Sequence, residues 1–461
     1  MPVLAAYMVP HPPMIVPEIG KGSERQIVPT IRAYEQVAAE IAALKPETII
    51  VSSPHSVLYA DYFHISPGKG AEGEFGRFGA PKVRFRETYD TELAGAICAL
   101  AEEKGFPAGT LGERDRHLDH GTMVPLHFVE QAYTDFRLIR IGLSGLPLSD
   151  HYAFGQIIRQ AVEQTGRRVV YIASGDLSHK LQAYGPYGFA PEGPAYDERI
   201  MDVCGRAAFG ELLDFEESFC DKAAECGHRS FVIMAGALDG LAVEVRQLSH
   251  EDVTGVGYGI CTFTPGAADG ERHFLEQWRK RQAETLRARR EKEDPYVRLA
   301  RETIEQYVGK GKRNTVPAWA LPEMKEKQAG VFVSIHKDGR LRGCIGTILP
   351  VYGSVAEEII HNAVSASTRD PRFDPVRPEE LDKLEINVDV LTEPERIESK
   401  AQLDVKRYGV IVSSGSRRGL LLPDLDGVDT VDEQVAIAMK KGGISARDKI
   451  TLERFEVIRH V

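Results

Sequence analysis

The sequence predicts an α/β N-terminal domain, with a mainly parallel sheet and helices on both faces, followed by a smaller α+β domain. Short apolar runs alternate with helix-patterned segments up to about residue 268. Beyond a charged, nearly glycine-free stretch, the pattern changes to paired strands around tight turns. Alternation of strand and helix favours parallel pairing through helical crossovers, and hairpin signals favour antiparallel pairing. At 461 residues the chain also exceeds what one ordinary core holds.

Taken in order, "VLAAYMV" (3–9), "TIIVSS" (48–53), "RLIRIGL" (137–143), "VVYIAS" (169–174) and "GYGICTFT" (257–264) are β-rich and bounded by Gly, Pro or Ser. Between them, residues 24–44, 91–105 and 149–166 carry apolar residues at helical spacing. Residues 271–308, rich in Arg, Lys, Glu and Ala, read as helical, with Asp294-Pro295 as a break or helix start. The domains are therefore placed at 1–268 and 294–461, with 269–293 as a charged helical linker. Acidic and basic residues interleave along that linker, the pattern of a solvated helix face. In the second domain, "GVFVSIHKDGRLRGCIGTILP" gives two strands around Asp338-Gly339. A helix (354–368), a strand (384–392), a strand pair near 409–423 and a last helix and strand follow.

Composition narrows the function. A hydrophobic content of 43% with 27% charged residues is that of a globular domain. A net charge of −11 argues against nonspecific nucleic-acid binding, and no apolar run approaches the roughly 20 residues needed to span a bilayer. The N-terminus lacks a basic region and reaches Pro early, unlike a signal peptide. Cys98, Cys204, Cys220, Cys226, Cys261 and Cys344 are scattered without a CxxC pair, which predicts reduced thiols and a cytoplasmic location.

Histidines carry the chemistry. His11, His55 and His179 each lie just past the C-terminal end of a predicted strand. In open α/β sheets those ends line the ligand crevice, so the three are expected to converge. His117 and His120 add a polar loop, "RDRHLDHGTMVPLHF". Neutral imidazole is the commonest protein metal ligand, and two histidines with one carboxylate suit non-haem Fe(II) with open positions. Glu225 is the carboxylate candidate; as an acid at a helix start it equally fits a capping role. Cys226 beside it is a softer alternative ligand. Asp176 in "SGDLSHK" either orients His179 or caps the following turn.

Together, "MVPHPPMIVPEIG", "VSSPHS", "HLDHGTMVPLHF" and "SGDLSHK" resemble, in order and spacing, the motifs of class III extradiol ring-cleavage dioxygenases of the LigB type. The resemblance to the Memo-like relatives of that fold is stronger, and it covers about residues 1–265. From about residue 290, "LRGCIGTILP", "STRDPRFDPV" and "GLLLPDLDGVDTVDEQVAIAMKKGGI" are similar to the AMMECR1 family. The two halves together resemble the fused A-type component of the AmmeMemoRadiSam system. This likeness implies His11, His55 and Glu225 as Fe(II) ligands, His179 as catalytic acid/base and His120 as a donor to substrate or oxygen. It implies a catecholic or related aromatic substrate with O₂, and hence an oxidoreductase. The alternative it carries is a Memo-like metal-binding partner of a radical SAM protein without ring cleavage, favoured if Cys226 is the ligand. No membrane or nucleic-acid partner is expected, and self-association is left open. In the second domain, "LRGCIGT" reads either as a groove where Arg342 meets an anion beside a semi-reactive Cys344, or as a bulge around a buried cysteine. Arg369 to Phe373 reads as a rigid turn with Phe373 packed inside.

Overall fold

The computed structural model describes residues 3–425 and 427–461. Two compact units emerge, Met1–Lys280 and Arg281–Val461. In the first, a six-stranded sheet is built from β1 (Val3–Val9), β2 (Thr48–Ser53), β3 (Arg137–Gly142), β4 (Val169–Ser174), β5 (Leu241–Glu251) and β6 (Tyr258–Ala268). Their order across the sheet is β3-β2-β4-β1-β6-β5. The first four are mutually parallel, and β6 and β5 join antiparallel at one edge. The sheet is mainly parallel, as expected, and its antiparallel edge makes it mixed.

The central strands are apolar because both of their faces are covered. Ala6 and Met8 of β1 enter one core, while Ala5, Tyr7 and Val9 enter the other. One face carries α1 (Val28–Leu44) and α3 (His120–Val129). The other carries α2 (Thr91–Glu103), α4 (Leu148–Thr165), α5 (Glu192–Gly205) and α7 (His228–Ala237), with the short α6 (Glu217–Ala223) before α7. Several elements went unread in the sequence, α5 and α6 among them. The edge strand β5 keeps one face in solvent and so carries Glu244, Arg246 and Gln247 among its residues. A hairpin of Gly70–Phe75 with Ala80–Thr88 is dominated by glycine and charge.

A charged helix, α8 (Phe274–Arg290), occupies the linker stretch. Asp294 then caps α9 (Pro295–Lys310) by accepting from Tyr296 N at 2.9 Å and Val297 N at 3.1 Å, with Pro295 in the first turn. The second unit holds two antiparallel four-stranded sheets. Its strands are β7 (Val331–Lys337), β8 (Arg340–Gly346), β9 (Leu384–Leu391), β10 (Glu395–Ile397), β11 (Gly409–Ser414), β12 (Arg417–Leu421), β13 (Thr451–Phe455) and β14 (Val457–His460). The orders are β8-β7-β9-β14 and β10-β13-β11-β12. Helix α10 (Val355–Thr368) packs on the first sheet and α11 (Val431–Lys441) on the second. The Asp338-Gly339 turn has φ of 53° and 74°, the left-handed pair that a tight hairpin demands.

Two expectations for this unit change. Arg342 is paired with Glu380 at 3.0 Å, so it is not left facing an anion. Cys344 is half-buried, accepting from Ser334 Oγ at 3.2 Å, so it is not a sealed apolar filler. The Asp370–Arg372 turn is rigid as read: Asp370 accepts from Cys344 N and from the Arg372 guanidinium. Phe373 lies half-buried with that guanidinium 5.4 Å above its ring. Among the described residues, no helix is long and apolar enough to cross a membrane.

Candidate metal centre

Adjacent parallel strands end at the same edge of a sheet, and β2, β4 and β1 are neighbours in that order. The loops after them carry His55, His179 and His11. Topology alone therefore brings together histidines separated by up to 168 residues of chain (179 − 11). His11 Nε2 lies 3.0 Å from His55 Nε2 and 3.7 Å from Cys226 Sγ. Ligand atoms of His11, His55 and Cys226 all lie within 4.8 Å of one another. His120 adds a fourth ring, 4.0 Å from that of His55 and 5.3 Å from that of His11.

Neighbouring groups fix how His11 presents itself. Ser174 Oγ donates its one hydrogen to Gly121 O at 2.6 Å, so toward His11 Nδ1, 3.0 Å away, it is the acceptor. The proton of His11 therefore sits on Nδ1, and the Nε2 lone pair faces His55 and Cys226. Asp176 Oδ1 accepts from His11 N at 2.7 Å. This carboxylate, read as orienting the His179 ring, thus holds the backbone of His11. The His179 amide donates to Ala223 O at 3.3 Å, its ring lies 5.0 Å from that of Tyr187, and its buried Nε2 has no partner among the described residues.

Cys226 faces the histidines because of the turn that precedes α7. Asp176 O accepts from both Cys226 N (3.4 Å) and Gly227 N (3.1 Å), while Asp176 N donates to Cys226 Sγ at 3.3 Å. A side chain at Gly175 would place its Cβ 2.1 Å from Gly227 Cα, so only glycine permits this backbone contact. Glu225, one residue earlier, turns away from the histidines: its Oε2 accepts from His228 N at 2.6 Å and satisfies the start of α7. The structure therefore does not bring Glu225 to His11 and His55, and the capping alternative describes its geometry.

Burial sets the charge of the centre. Desolvation holds His11 well below the usual imidazole range, reinforced by the neighbouring His55 ring. It also lowers His55 and His179, and brings His120 down to about 3. The Cys226 thiol is pushed well up by burial, then by the charges of Asp176 and Glu225. Two neutral imidazoles, the ligand form, thus stand beside a thiol that a bound cation would help to ionise.

Sequence reading missed Asp119. Its Oδ1 accepts from Ser53 Oγ at 2.6 Å and from Thr122 N at 3.0 Å, and its Oδ2 accepts from Thr122 Oγ1 at 2.9 Å. It caps α3, whose first residue is His120, and through Ser53 it also holds His55 N at 3.2 Å. The "D-x-x-T" spacing before an apolar run was the available signal. Behind it stands Arg140, 1% exposed, 3.7 Å from Asp119 Oδ2 and bonded to Ser66 Oγ and Asp115 O. His117 is exposed and does not join the other histidines.

Comparison with known proteins gives the family of each half. Residues 5–261 match the family described as the catalytic LigB subunit of aromatic ring-opening dioxygenase, and residues 297–460 match AMMECR1. A Clostridium acetobutylicum protein is 39% identical over 98% of both chains. A Thermotoga maritima protein is 50% identical over 36% of this chain and 98% of its own. An uncharacterised Pyrococcus horikoshii protein of solved structure is 35% identical over 36% of this chain and 88% of its own, with a TM-score of 0.34. With more than half of its length matched by the LigB family and the remainder largely by AMMECR1, the chain belongs to the LigB family of ring-opening dioxygenase subunits, fused to an AMMECR1 domain.

Proposed function

We propose that the N-terminal unit binds a metal through His11, His55 and Cys226, and acts as a Memo-like metal-dependent partner protein without ring cleavage. The observation that carries this reading is the sulfur of Cys226 beside His11, on the strand-end surface where a ring-cleaving iron centre would need a carboxylate. Thiolate with two imidazoles suits Cu(I) or Zn(II), whereas a carboxylate with two imidazoles suits Fe(II). The donor set fits a cation on one further ground: the His11 tautomer is set with the Nε2 lone pair facing His55 and Cys226. A metal held there would supply Lewis acidity and, if it is copper or iron, one-electron chemistry.

The chain's own residues do the rest. Ser174 fixes the His11 proton, Asp119 holds His55 and His120 in place, and Tyr187 lies beside the ring of His179. His179 Nε2, buried and unpartnered, is the atom available to exchange a proton with a bound ligand. That same atom favours the second reading, an Fe(II)-dependent extradiol dioxygenase acting on a catecholic substrate with O₂, in which His179 is the acid/base and His120 a donor. Resemblance to the A-type fusion supports a radical SAM protein as the partner in the first reading.

Anaerobically purified protein loaded separately with Cu(I), Zn(II) and Fe(II) tests the choice. Metal retention is measured beside O₂ uptake over a panel of catechols, in wild type and in His11→Ala, Cys226→Ala and His179→Ala. Cu(I) or Zn(II) retention lost in Cys226→Ala, without uptake, supports the partner protein. Fe(II)-dependent uptake that needs His11 and His179 but tolerates Cys226→Ala overturns it in favour of ring cleavage.

A further inference from the structure

We infer that Asp197, hydrogen-bonded to His250, is a positioning residue for His179. The inference rests on the reading of His179 as the proton-exchanging group of the centre. Asp197 lies on α5, outside every motif singled out in the sequence, and is only 2% exposed. Its Oδ1 accepts from the backbone N of Ser178 at 2.8 Å, the residue immediately before His179. Its Oδ2 lies 3.1 Å from His250 Nε2, on the half-exposed edge strand β5. A buried carboxylate is tolerated only with such partners, so this one has been placed where it holds the loop.

Everything else around Ser178 points the same way. Leu177 N donates to Gly257 O at 2.9 Å, and Gly257 N donates to Ser178 O at 2.8 Å, a two-bond backbone clamp. Ser178 Oγ donates to Ala223 O at 2.8 Å and accepts from Lys180 N at 3.0 Å. Gly257 must lack a side chain for the arrangement to exist, since a Cβ there would lie 2.0 Å from Asp197 Oδ2. Each backbone group on either side of the His179 imidazole is therefore fixed, while its own Nε2 is left unpartnered. A loop held this firmly around a free ring nitrogen is the arrangement expected of a preorganised group rather than of a turn.

The test follows the His179 ring by NMR in full-length, ¹⁵N-histidine-labelled protein, assigned with His179→Gln, through a pH titration of wild type, Asp197→Asn and His250→Gln. Burial holds the wild-type ring below the ordinary imidazole range, opposed by Asp176. In Asp197→Asn the titration is expected to move back toward about 6.5 as the loop loosens and water reaches the ring. In His250→Gln, which alters a half-exposed side chain, it moves in the same direction by less. Metal content stays at the wild-type level in both. An unchanged His179 titration in His250→Gln and in folded Asp197→Asn, with only a lower melting temperature, overturns the assignment and leaves Asp197 a structural residue. If Asp197→Asn fails to fold, His250→Gln decides alone. Shifted titrations in a protein without turnover or ligand binding would sink the functional reading of His179 but not its positioning by Asp197.

Discussion

Ser53 Oγ donates to Asp119 Oδ1 at 2.6 Å, and that bond joins the loop carrying His55 to the helix that begins with His120. One carboxylate, 66 residues along the chain from its partner, thereby sets the separation of two rings of the centre. Replacing Asp119 with Ala removes the α3 cap, worth about 1 kcal/mol, and frees both loops. The expected outcome is a roughly 10- to 100-fold loss of metal affinity, the usual effect of deleting a group that orients ligands. Competition against a chelator of known affinity measures it, and Ser53→Ala should show a smaller loss of the same sign. Wild-type affinity in both variants would mean that the rings hold themselves in place.

Cys226→Asp exchanges sulfur for oxygen at the same backbone position. Retention is expected to fall for Cu(I) and Zn(II) and to rise for Fe(II) and Mn(II), following ligand softness. Equilibrium dialysis against each metal, read by elemental analysis, reports the order of preference. An unchanged order would exclude Cys226 from the coordination sphere.

Glu130, at the C-terminal end of α3, hydrogen-bonds with Glu87 on the Ala80–Thr88 hairpin strand. Burial first, then the Glu87 carboxyl, pushes Glu130 up to about 8. An unfolded glutamate titrates near 4.3. A raised folded value means that the stabilisation is complete below about pH 4 and is lost as the pH climbs toward 8. Glu130→Gln, neutral throughout, should therefore flatten the decline of melting temperature between pH 5 and about 9 and exceed wild type at the alkaline end. Glu225, raised to about 7 by burial, keeps part of the slope in that variant. Calorimetry across the range checks the sign; a steeper alkaline decline in the variant would contradict the pairing.

In the second unit, Arg301 meets Glu293 through Nε at 2.8 Å and also donates to Leu384 O at 3.2 Å, with both side chains about nine-tenths buried. Glu293→Ala strands a guanidinium in the interior, and losses of about 3–5 kcal/mol are typical of such breaks. Replacing both, as Arg301→Met with Glu293→Leu, should recover most of that loss. Denaturant titrations of the full chain, following the transition of this unit, separate the two cases; equal destabilisation by single and double variants would refute the charge argument.

How much of this was legible beforehand divides along physical lines. Strands covered on both faces are continuous apolar runs, and β1, β2, β3 and β4 announced themselves. Strand β5 did not, because an edge strand alternates with solvent-facing polar groups and resembles a loop. The histidines at strand ends were legible because topology, not packing, brings them together. The choice between Glu225 and Cys226 was not, since both belong to one turn whose orientation depends on a Gly175–Gly227 contact distant in sequence. Asp119 left the D-x-x-T mark of its cap on Thr122, but its bond to Ser53 and that of Asp197 to Ser178 N join distant parts of the chain and leave no periodic mark.

The same glycine contact makes the choice of donor at the proposed metal site a matter of phase. Glu225 and Cys226 are consecutive residues on a turn pinned at Gly227, one aimed at the α7 amides and the other at the histidines. Slipping that segment by a single position would present a hard oxygen in place of a soft sulfur while every histidine stayed where it is. One residue inserted or deleted near α6 would therefore exchange the donor offered to a metal without any substitution at a histidine.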